Sequence, residues 1–367
     1  MVGSSVAFEL REPANAFRLI EAWLREQGFF APGGEKLTAD LYLGYGLSQT
    51  ISRSGAAPAA EPCPSLPLVA CAVRSNRYVV EHGNSGDILG DIRVGAWAGD
   101  WSAADYAAAV ERARAAIARG DVYQVNLVQH LSAACSGPPA ALAAKLASLS
   151  PLHPDPFVGE AWAVVSASPE LFLARRGRRV WTMPIKGTRP LGAAAELRAS
   201  AKDAAEHVMI VELERNDLSR VCEPGTVRWP ELMSTRELAG VEHLVSTVEG
   251  TLREGVDLAE ILEATFPGGS VTGAPKIAAV DLIAELEPVG RGASMGALGR
   301  VYGNGDFDLA LTIRTFAIAE GRIHLWVGGG VVWDSDPAAE VEESWTKARP
   351  LLEALGSTEA ALAGMRA

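Results

Sequence analysis

The feature that most limits the possible folds is a cluster of strand-like segments in the last quarter of the sequence. Between residues 296 and 333, short runs rich in β-branched and aromatic residues alternate with turn-forming GNGD and EGR sequences. Such runs, separated by tight turns, are typical of antiparallel hairpins. Further strand-like segments at 122–133, 162–174 and 179–183 also occur in groups rather than in strict alternation with helices. The pattern predicts an α+β fold with large antiparallel sheets and helices packed outside.

Helical spacing of apolar residues predicts the segments that cover these sheets. Ser102 is suited to cap the first helix and Gly120 to end it, while Ser335 and Asp336 precede Pro337 at the start of the last. The predicted helices are 101–119, 138–149, 196–215, 256–264, 275–286 and 337–355.

Composition narrows the class of protein. With 48% hydrophobic and 21% charged residues in 367, the chain can bury a sizeable core as one large unit. Its net charge of −12 makes nucleic acid a poor partner, because an acidic surface repels phosphate backbones. There is no apolar run long enough to cross a bilayer, and MVGSSVAFELREP does not resemble a secretory signal.

The cysteines fit a reducing compartment. Cys63, Cys71, Cys135 and Cys222 are scattered without the spacing of a metal site. In a chain of this length they are expected to be reduced thiols, which predicts a cytoplasmic protein. Because no apolar run is long enough to cross a bilayer, no membrane partner is expected.

Two distant helical segments each carry a pair of carboxylates. Asp203 and Glu206 lie three residues apart, as do Glu340 and Glu343, so each pair occupies one helix face. If the pairs meet, they suit Mg²⁺, which prefers oxygen ligands and keeps several waters. Taken singly, each pair is also compatible with a solvated helix face, and Lys347 offers Glu343 an ordinary surface ion pair.

Two glycine-rich segments leave alternatives open. FPGGSVTGAPK, residues 266–276, does not match a phosphate-binding loop, because Ala274 and Pro275 follow Gly273. It fits either a plain turn or a loop whose amides receive an anion at a helix start. The glycines at 328–330 interrupt a strand, which indicates a bulge or the close approach of another backbone or of a ligand.

A serine hydrolase is the main alternative function that would use a different mechanism. Residues 292–296, GASMG, match the G-x-S-x-G nucleophile motif, with Ser294 as nucleophile. Only His324 follows, with Asp306 or Asp308 between, and the segment after the serine is extended rather than helical. A non-catalytic scaffold would leave the polar glycine-rich segments unexplained.

From about residue 100 to 355 the sequence resembles the chorismate-utilising enzymes, which include the catalytic components of anthranilate and aminodeoxychorismate synthases. Eight motifs carry the resemblance in order: GDVYQVNL (120–127), SPELFL (168–173), PIKGTRP (184–190), KDAAEHVMIVELERNDLSRVC (202–222), VEHLVSTVEG (241–250), FPGGSVTGAPK (266–276), LTIRTF (311–316) and GGGVVWDSDPAAEVEES (328–344).

The resemblance implies a single large unit with two facing extended antiparallel sheets and helices outside. It assigns residues 100–355 to a chorismate-binding catalytic region. Residues 1–99 then form the N-terminal part of the fold and 356–367 a C-terminal tail.

The resemblance also assigns roles to residues. It implies Mg²⁺ held by Glu206 and Glu343, with Asp203 and Glu340 acting through waters, and bound to the ring carboxylate of chorismate. Glu170 is implied to be a general acid for the C4 hydroxyl, and His243 to lie near the pyruvate group. Substrate-binding roles are implied for Arg314, which grips the enolpyruvyl carboxylate, and for Thr272, Gly273, Gly329, Lys347 and Gln124.

Two positions indicate the reaction. Lys186 resembles the lysine of aminodeoxychorismate synthases, which attacks C2 of chorismate before ammonia adds at C4, whereas anthranilate synthases have alanine there. The lysine must be neutral to attack, so we expect it to be desolvated or crowded by positive charge. Gln124 occupies the place of a lysine in isochorismate- and salicylate-forming relatives, and a glutamine cannot deprotonate water. Anthranilate synthesis, with amination at C2 and loss of pyruvate, remains the alternative.

The resemblance implies a partner. No segment supplies the cysteine, histidine and glutamate of a glutaminase, so ammonia is expected from a separate glutamine amidotransferase subunit or from solution. A separate lyase would then convert 4-amino-4-deoxychorismate to 4-aminobenzoate for folate synthesis.

Overall fold

The structure, a computed structural model, describes residues 8–54, 59–74, 90–238 and 241–357, so the predicted tail lies almost wholly outside the described residues. The helices are α1 (Ala16–Glu26), α2 (Ala103–Arg119), α3 (Pro139–Leu146), α4 (Ala194–Ala199), α5 (Ala201–Ser219), α6 (Leu258–Thr265), α7 (Lys276–Leu286) and α8 (Pro337–Ala354). The strands are β1 (Phe8–Leu10), β2 (Thr38–Leu43), β3 (Val69–Arg74), β4 (Arg93–Val94), β5 (Ala98–Gly99), β6 (Gln124–Ser136), β7 (Phe157–Val158), β8 (Trp162–Ser166), β9 (Leu171–Arg176), β10 (Arg179–Met183), β11 (Ile185–Pro190), β12 (Arg228–Leu238), β13 (Val241–Thr251), β14 (Gly273–Ala274), β15 (Ala297–Tyr302), β16 (Phe307–Leu311), β17 (Thr315–Ala319) and β18 (Arg322–Val331).

The strands form two large sheets. The first has ten strands in the order β1-β3-β2-β15-β16-β9-β10-β13-β11, with β12 also paired to β13. The second has eight, in the order β14-β6-β18-β17-β8-β7, with β4 and β5 also paired to β6. Every strand pair among the described residues is antiparallel. The predicted α+β class with facing antiparallel sheets is therefore confirmed.

One hydrophobic core serves both sheets. A single cluster of buried residues contains side chains from each of them, and the rings of Tyr42 on β2 and Trp162 on β8 lie 6.1 Å apart across the interface. Burial of this shared apolar surface is what holds the sheets face to face. No helix in the described part of the chain is long and apolar enough to cross a membrane.

Local capping chemistry explains several helix boundaries. The Ser102 side chain accepts from Asp105 N in a capping box, and Gly120 ends α2 in the left-handed conformation, as the sequence predicts. The segment predicted as one helix over 196–215 is two, because Ser200 is extended and caps the start of α5 through Asp203 N. This break fixes the register of α5, and with it the direction of its carboxylates.

The pairing of β6 with β18 sets the frame of the functional site. Gly328 lies opposite Val128 and Gly330 opposite Asn126 in this ladder. A Cβ added at Gly328 would lie 1.8 Å from the carbonyl oxygen of Leu127, so a side chain there would push the strands apart. The glycine run is thus required partly by close approach of another backbone, one of the alternatives that the sequence left open.

Candidate active site

The candidate site lies where the glycine end of β18 meets β6, β11, α5 and α8. Gln124, at the start of β6, is 1% exposed and donates through Nε2 to Glu206 Oε1 on α5, 2.9 Å away. A Cβ at Gly330 would lie 2.1 Å from Gln124 Nε2 and 3.0 Å from Glu206 Oε1. Only glycine at this position leaves room for the two side chains to meet.

Lys186 reaches the same carboxylate from β11. Its Nζ lies 3.0 Å from Glu206 Oε1 and 3.5 Å from the carbonyl oxygen of Ser270, and its side chain is 13% exposed. Lys186 is therefore buried as expected, but its charged neighbours are carboxylates rather than cations.

The two pKa values follow from this pairing. Burial lowers the pKa of Lys186, but attraction to Glu206 and to the carboxyl of Glu170 outweighs burial and raises it. Burial likewise opposes ionisation of Glu206, yet Lys186 and Lys347 lower its pKa. Of the two expected conditions, desolvation is present and crowding by positive charge is not, and the carboxylates around Lys186 favour its ammonium form.

Glu170 lies beside Lys186 and is 4% exposed. Its Oε1 accepts a hydrogen bond from Ser270 Oγ at 2.8 Å, with Ile185 N 3.5 Å away. Burial raises the pKa of Glu170 despite the opposing effects of Ser270 and Lys186. A buried carboxyl with a raised pKa can hold a proton at neutral pH, as the predicted acid requires.

The carboxylates of α8 converge on Gly329. Glu340 Oε2, Glu343 Oε1 and Lys347 Nζ each lie 3.3 Å from the point where a Cβ of Gly329 would stand. Ser335 Oγ donates to Glu340 Oε1 at 2.6 Å, and Lys347 Nζ lies 2.7 Å from Glu343 Oε1. The start of α8 after Asp336, which caps Ala339 N, gives this register.

The carboxylate pairs do not meet at one point. Asp203, expected beside Glu206, instead pairs with Arg189 on β11 at 2.8 Å. No group of three His, Cys, Asp or Glu side chains within the described ranges is arranged to hold a metal ion. Instead, Lys186, Arg189 and Lys347 each form an ion pair with one carboxylate of the predicted set.

The donor set nonetheless suits Mg²⁺ in chemical type. Glu340 and Glu343 present oxygens to one point at Gly329, and Glu206 lies beside the adjacent Gly330. Carboxylate oxygens supplemented by water are what Mg²⁺ prefers. These residues could hold the ion if their lysine partners moved.

Arg314 lies near Glu170, and His243 lies near Arg314. Arg314 precedes β17 with a positive φ of 50°, and burial lowers its pKa while Glu170 opposes the shift. Its guanidinium forms no ion pair with the residues that the structure describes. His243 is 2% exposed, and its Nδ1 lies 2.9 Å from the carbonyl oxygen of Gly187. Burial lowers the pKa of His243, which favours neutral imidazole with Nδ1 as donor.

The loop at 266–276 supplies backbone rather than a free hydroxyl. Thr272 is fully buried, and its Oγ1 donates to the carbonyl oxygen of Gly268 at 2.8 Å. Gly273 pairs with Val125 on β6, and its φ of 145° and the 2.1 Å from its added Cβ to Gln124 O require glycine. The hydroxyl of Thr272 is thus used inside the loop, and the substrate-binding role of Thr272 stays a prediction.

Sequence reasoning missed two side chains of the site, Ser270 and Asn126, whereas Gln124 was already predicted to bind substrate. Ser270 donates a hydrogen bond to the predicted acid, Glu170. It lies inside the glycine-rich motif 266–276, which the sequence had already singled out. Gln124 Oε1 and Asn126 Nδ2, on one face of β6, are buried without a hydrogen-bond partner among the described residues. Buried polar atoms are normally paired, so these two point to a ligand. Their alternation along β6 was visible in the sequence.

The serine-hydrolase alternative is wrong in its geometry. Ser294 is fully buried and its Oγ donates to the carbonyl oxygen of Thr312, 3.3 Å away. His324 Nδ1 instead lies 3.0 Å from His130 Nε2. The serine and its expected base have other partners, so no nucleophile–base pair exists there.

Comparison with known proteins identifies the family. The sequence model of the chorismate binding enzyme family matches residues 80–353. This range is most of the chain and contains every predicted site residue. The chain belongs to the chorismate binding enzymes.

Relatives within this family divide between two named activities. Anthranilate synthase component 1 of Streptomyces coelicolor is 44% identical over 278 residues, covering 72% of this chain and 54% of that protein. Aminodeoxychorismate synthase component 1 of Klebsiella aerogenes is 40% identical over 271 residues, covering 71% and 60%. The matches thus extend over little more than half the length of these curated relatives.

Solved structures support the same fold. Anthranilate synthase component I from Streptococcus pneumoniae superposes with a TM-score of 0.75 at 26% identity, over 85% of this chain and 80% of that one. The menaquinone-specific isochorismate synthase of Escherichia coli, at 17% identity and a TM-score of 0.65, covers 97% of this chain and 96% of its own, and shows the fold alone.

Proposed function

We propose that the chain is an aminodeoxychorismate synthase that aminates chorismate at C4 and depends on Mg²⁺. The observation that carries this choice is Lys186, whose Nζ is buried in the site 3.0 Å from Glu206 Oε1. A buried lysine between two carboxyl groups can bond a substrate ring at one carbon and direct ammonia to another.

Substrate binding is assigned to opposite sides of the site. Arg314, whose guanidinium has no ion-pair partner in the described ranges, would hold the enolpyruvyl carboxylate through its donor fork. Glu206 and Glu343 would hold Mg²⁺, with Glu340 and Asp203 acting through waters, and the ion would supply positive charge for binding the ring carboxylate. Asp203 would first have to leave Arg189.

The proposed chemistry has two displacements. Lys186 Nζ first gives a proton to solvent and then bonds C2; the ring electrons shift and the C4–O bond breaks. Glu170 gives its proton to the departing hydroxyl, which leaves as water. Ammonia then bonds C4, the electrons return, and the C2–N bond to Lys186 breaks, while the new C4 ammonium group returns a proton to Glu170. His243 lies beside Gly187 in the adjacent strand pair, where it would border the enolpyruvyl group that this reaction retains.

Anthranilate synthesis is the second candidate. The relative from Streptomyces coelicolor, named anthranilate synthase component 1, has a higher identity than the aminodeoxychorismate synthase from Klebsiella aerogenes. In that reaction ammonia would attack C2 directly and pyruvate would be lost. A lysine in the position of Lys186 competes for C2, which favours the C4 reaction.

A separate partner would supply the ammonia. The names of the relatives describe them as component 1, which implies a second component. We propose a glutamine amidotransferase subunit in that role. The purified chain should then use ammonium salts but not glutamine.

Product identification by mass spectrometry separates the two candidates. The chain is incubated with chorismate, ammonium and Mg²⁺, without any lyase. We expect 4-amino-4-deoxychorismate, which retains the enolpyruvyl group. Anthranilate together with released pyruvate would select the second candidate, and absence of any aminated product would reject both.

A further inference from the structure

We propose that Ser270 is a positioning residue that fixes the carboxyl of Glu170 and sets its spacing from Lys186. The proposal rests on the roles given to these two groups in the proposed function. Ser270 touches both of them, through its hydroxyl on one side and its main-chain carbonyl on the other.

The hydroxyl decides which oxygen of Glu170 can carry a proton. Ser270 Oγ donates to Glu170 Oε1 at 2.8 Å, and Ile185 N approaches the same oxygen at 3.5 Å. An oxygen that accepts hydrogen bonds is a poor place for the acidic proton, so the proton is directed to Oε2. The backbone of Glu170 is fixed separately, because Leu311 N donates to its carbonyl oxygen at 3.0 Å.

Ser270 can position Glu170 because its own loop is held in place by hydrogen bonds on both sides. Ser270 is 7% exposed and lies in the short 3₁₀ turn Gly269–Val271. Thr272 Oγ1 donates to the Gly268 carbonyl, and Arg291 Nη1 donates to the Val271 carbonyl, each at 2.8 Å. A turn held on both sides cannot follow the side chain of Glu170, so the hydroxyl holds Glu170 and not the reverse.

The main-chain carbonyl of the same residue accepts from Lys186 Nζ over a long contact of 3.5 Å. The acid and the proposed nucleophile must act on different carbons of one ring, C4 and C2. A single residue that touches both gives them a fixed separation, which is the kind of alignment that raises rates without new chemistry.

Three charged groups face Glu170 from the elements around it: Lys186 on β11, Arg314 before β17, and Glu214 on α5. None of them is altered when Ser270 is changed. A shift in the ionisation of Glu170 on substitution of Ser270 is then attributable to the lost hydrogen bond.

Kinetic measurements compare Ser270→Ala, Ser270→Thr and a matched control, Ser132→Ala. Ser132 is equally buried, at 8% exposure, and accepts from Arg322 at 2.7 Å near the other end of β6. We expect Ser270→Ala to lower kcat by about 10- to 100-fold with the KM for chorismate little changed, because positioning affects proton transfer more than binding. Ser270→Thr keeps the hydroxyl and should restore most of kcat, and Ser132→Ala should match the wild type.

The pH profile adds a readout that a merely structural role would not move. Donation from Ser270 lowers the pKa of Glu170, so its loss raises that pKa further. Activity that needs protonated Glu170 falls as pH rises through this pKa. The fall should therefore move to higher pH in Ser270→Ala and return in Ser270→Thr.

Infrared spectroscopy tests the hydrogen bond without turnover. The C=O stretch of protonated Glu170, assigned by its absence in Glu170→Gln, should shift to higher frequency in Ser270→Ala and titrate at higher pH. An unchanged band would overturn the proposal, as would a kcat for Ser270→Ala equal to that of the wild type. If no aminated product forms from chorismate, the proposed function fails while the infrared result still decides whether Ser270 holds Glu170.

Discussion

Lys186 Nζ lies 3.0 Å from Glu206 Oε1, and this contact joins the proposed nucleophile on β11 to a proposed metal ligand on α5. Gln124 donates to the same oxygen from β6 at 2.9 Å. One carboxylate oxygen thus contacts a lysine and an amide beside the end of the glycine run. Anything that engages Glu206 must also change the surroundings of Lys186.

Lys186→Ala should abolish most formation of 4-amino-4-deoxychorismate, by about 100-fold or more, because the nucleophile is lost. Residual amination should move toward C2, since the small side chain leaves that carbon open. Chorismate should still bind, because Arg314 is untouched. Product analysis by mass spectrometry measures both effects, with the variant Lys145→Ala as control, since Lys145 forms an ion pair with exposed Asp91 at 3.3 Å.

The wild type incubated with chorismate and no ammonia should form an adduct on the peptide that contains Lys186. Intact-protein and peptide mass spectrometry detect it. A Lys186→Ala variant that makes the C4 product at the wild-type rate would show that the lysine is only an electrostatic element.

Glu343→Gln should weaken Mg²⁺ binding by about 10-fold or more and reduce activity accordingly, because a charged oxygen ligand is replaced by an amide. Isothermal titration with Mg²⁺ measures binding without substrate. Glu342→Gln, an exposed neighbour on the same helix, is the matched control. Full turnover in excess EDTA would contradict the metal assignment.

Activity should fall with rising pH in a limb that depends on Glu170. Burial raises the pKa of this carboxyl, and only its protonated form can serve as acid, so the active form is lost as pH rises through the raised pKa. Glu170→Gln should lower kcat by about 100- to 10,000-fold. The pH–rate profile of the wild type measures this limb. Activity of Glu170→Gln equal to that of the wild type would show that Glu170 is not the acid.

Arg291→Ala should destabilise the fold by about 3–5 kcal/mol, because it leaves the carboxylate of Glu287 buried without its partner. Arg291 is 1% exposed and donates to Glu287, to Val271 O at 2.8 Å and to Asn126 O at 2.7 Å. Urea unfolding measures the loss. Arg215→Ala breaks only a surface pair with Glu212 and should change stability by less than about 1 kcal/mol; similar losses in both variants would contradict the assignment.

Glu214→Gln should stabilise the protein increasingly as pH rises. Burial, followed by Glu170 and Asp217, raises the pKa of Glu214 well above its ordinary value. A carboxyl whose folded pKa exceeds its unfolded pKa contributes stability that is complete below the unfolded pKa and lost as pH rises through the folded one. Glutamine does not ionise, so the Tm difference from wild type should grow between acidic and alkaline pH; a difference independent of pH would show that Glu214 does not titrate in this way.

The sequence by itself determined the α+β class, most helix boundaries and the family. These depend on local chemistry: the spacing of apolar residues, the caps Ser102 and Asp336, and ordered motifs. It also assigned Lys186, Glu170 and Glu206 to one functional site, because each lies in a family motif. The break at Ser200 was not predicted, since the helical spacing continues across it and only the extended backbone of the serine separates the two helices.

Only the tertiary structure decided which charged side chains form ion pairs. Spacing of three residues places Asp203 and Glu206 on one helix face, but their partners, Arg189 and Lys186, come from a strand whose distance and direction are set by long-range packing. The bond from Ser270 to Glu170 likewise joins residues a hundred positions apart. Helical periodicity fixes direction within an element, whereas contacts between elements depend on how the sheets and helices pack around their shared core.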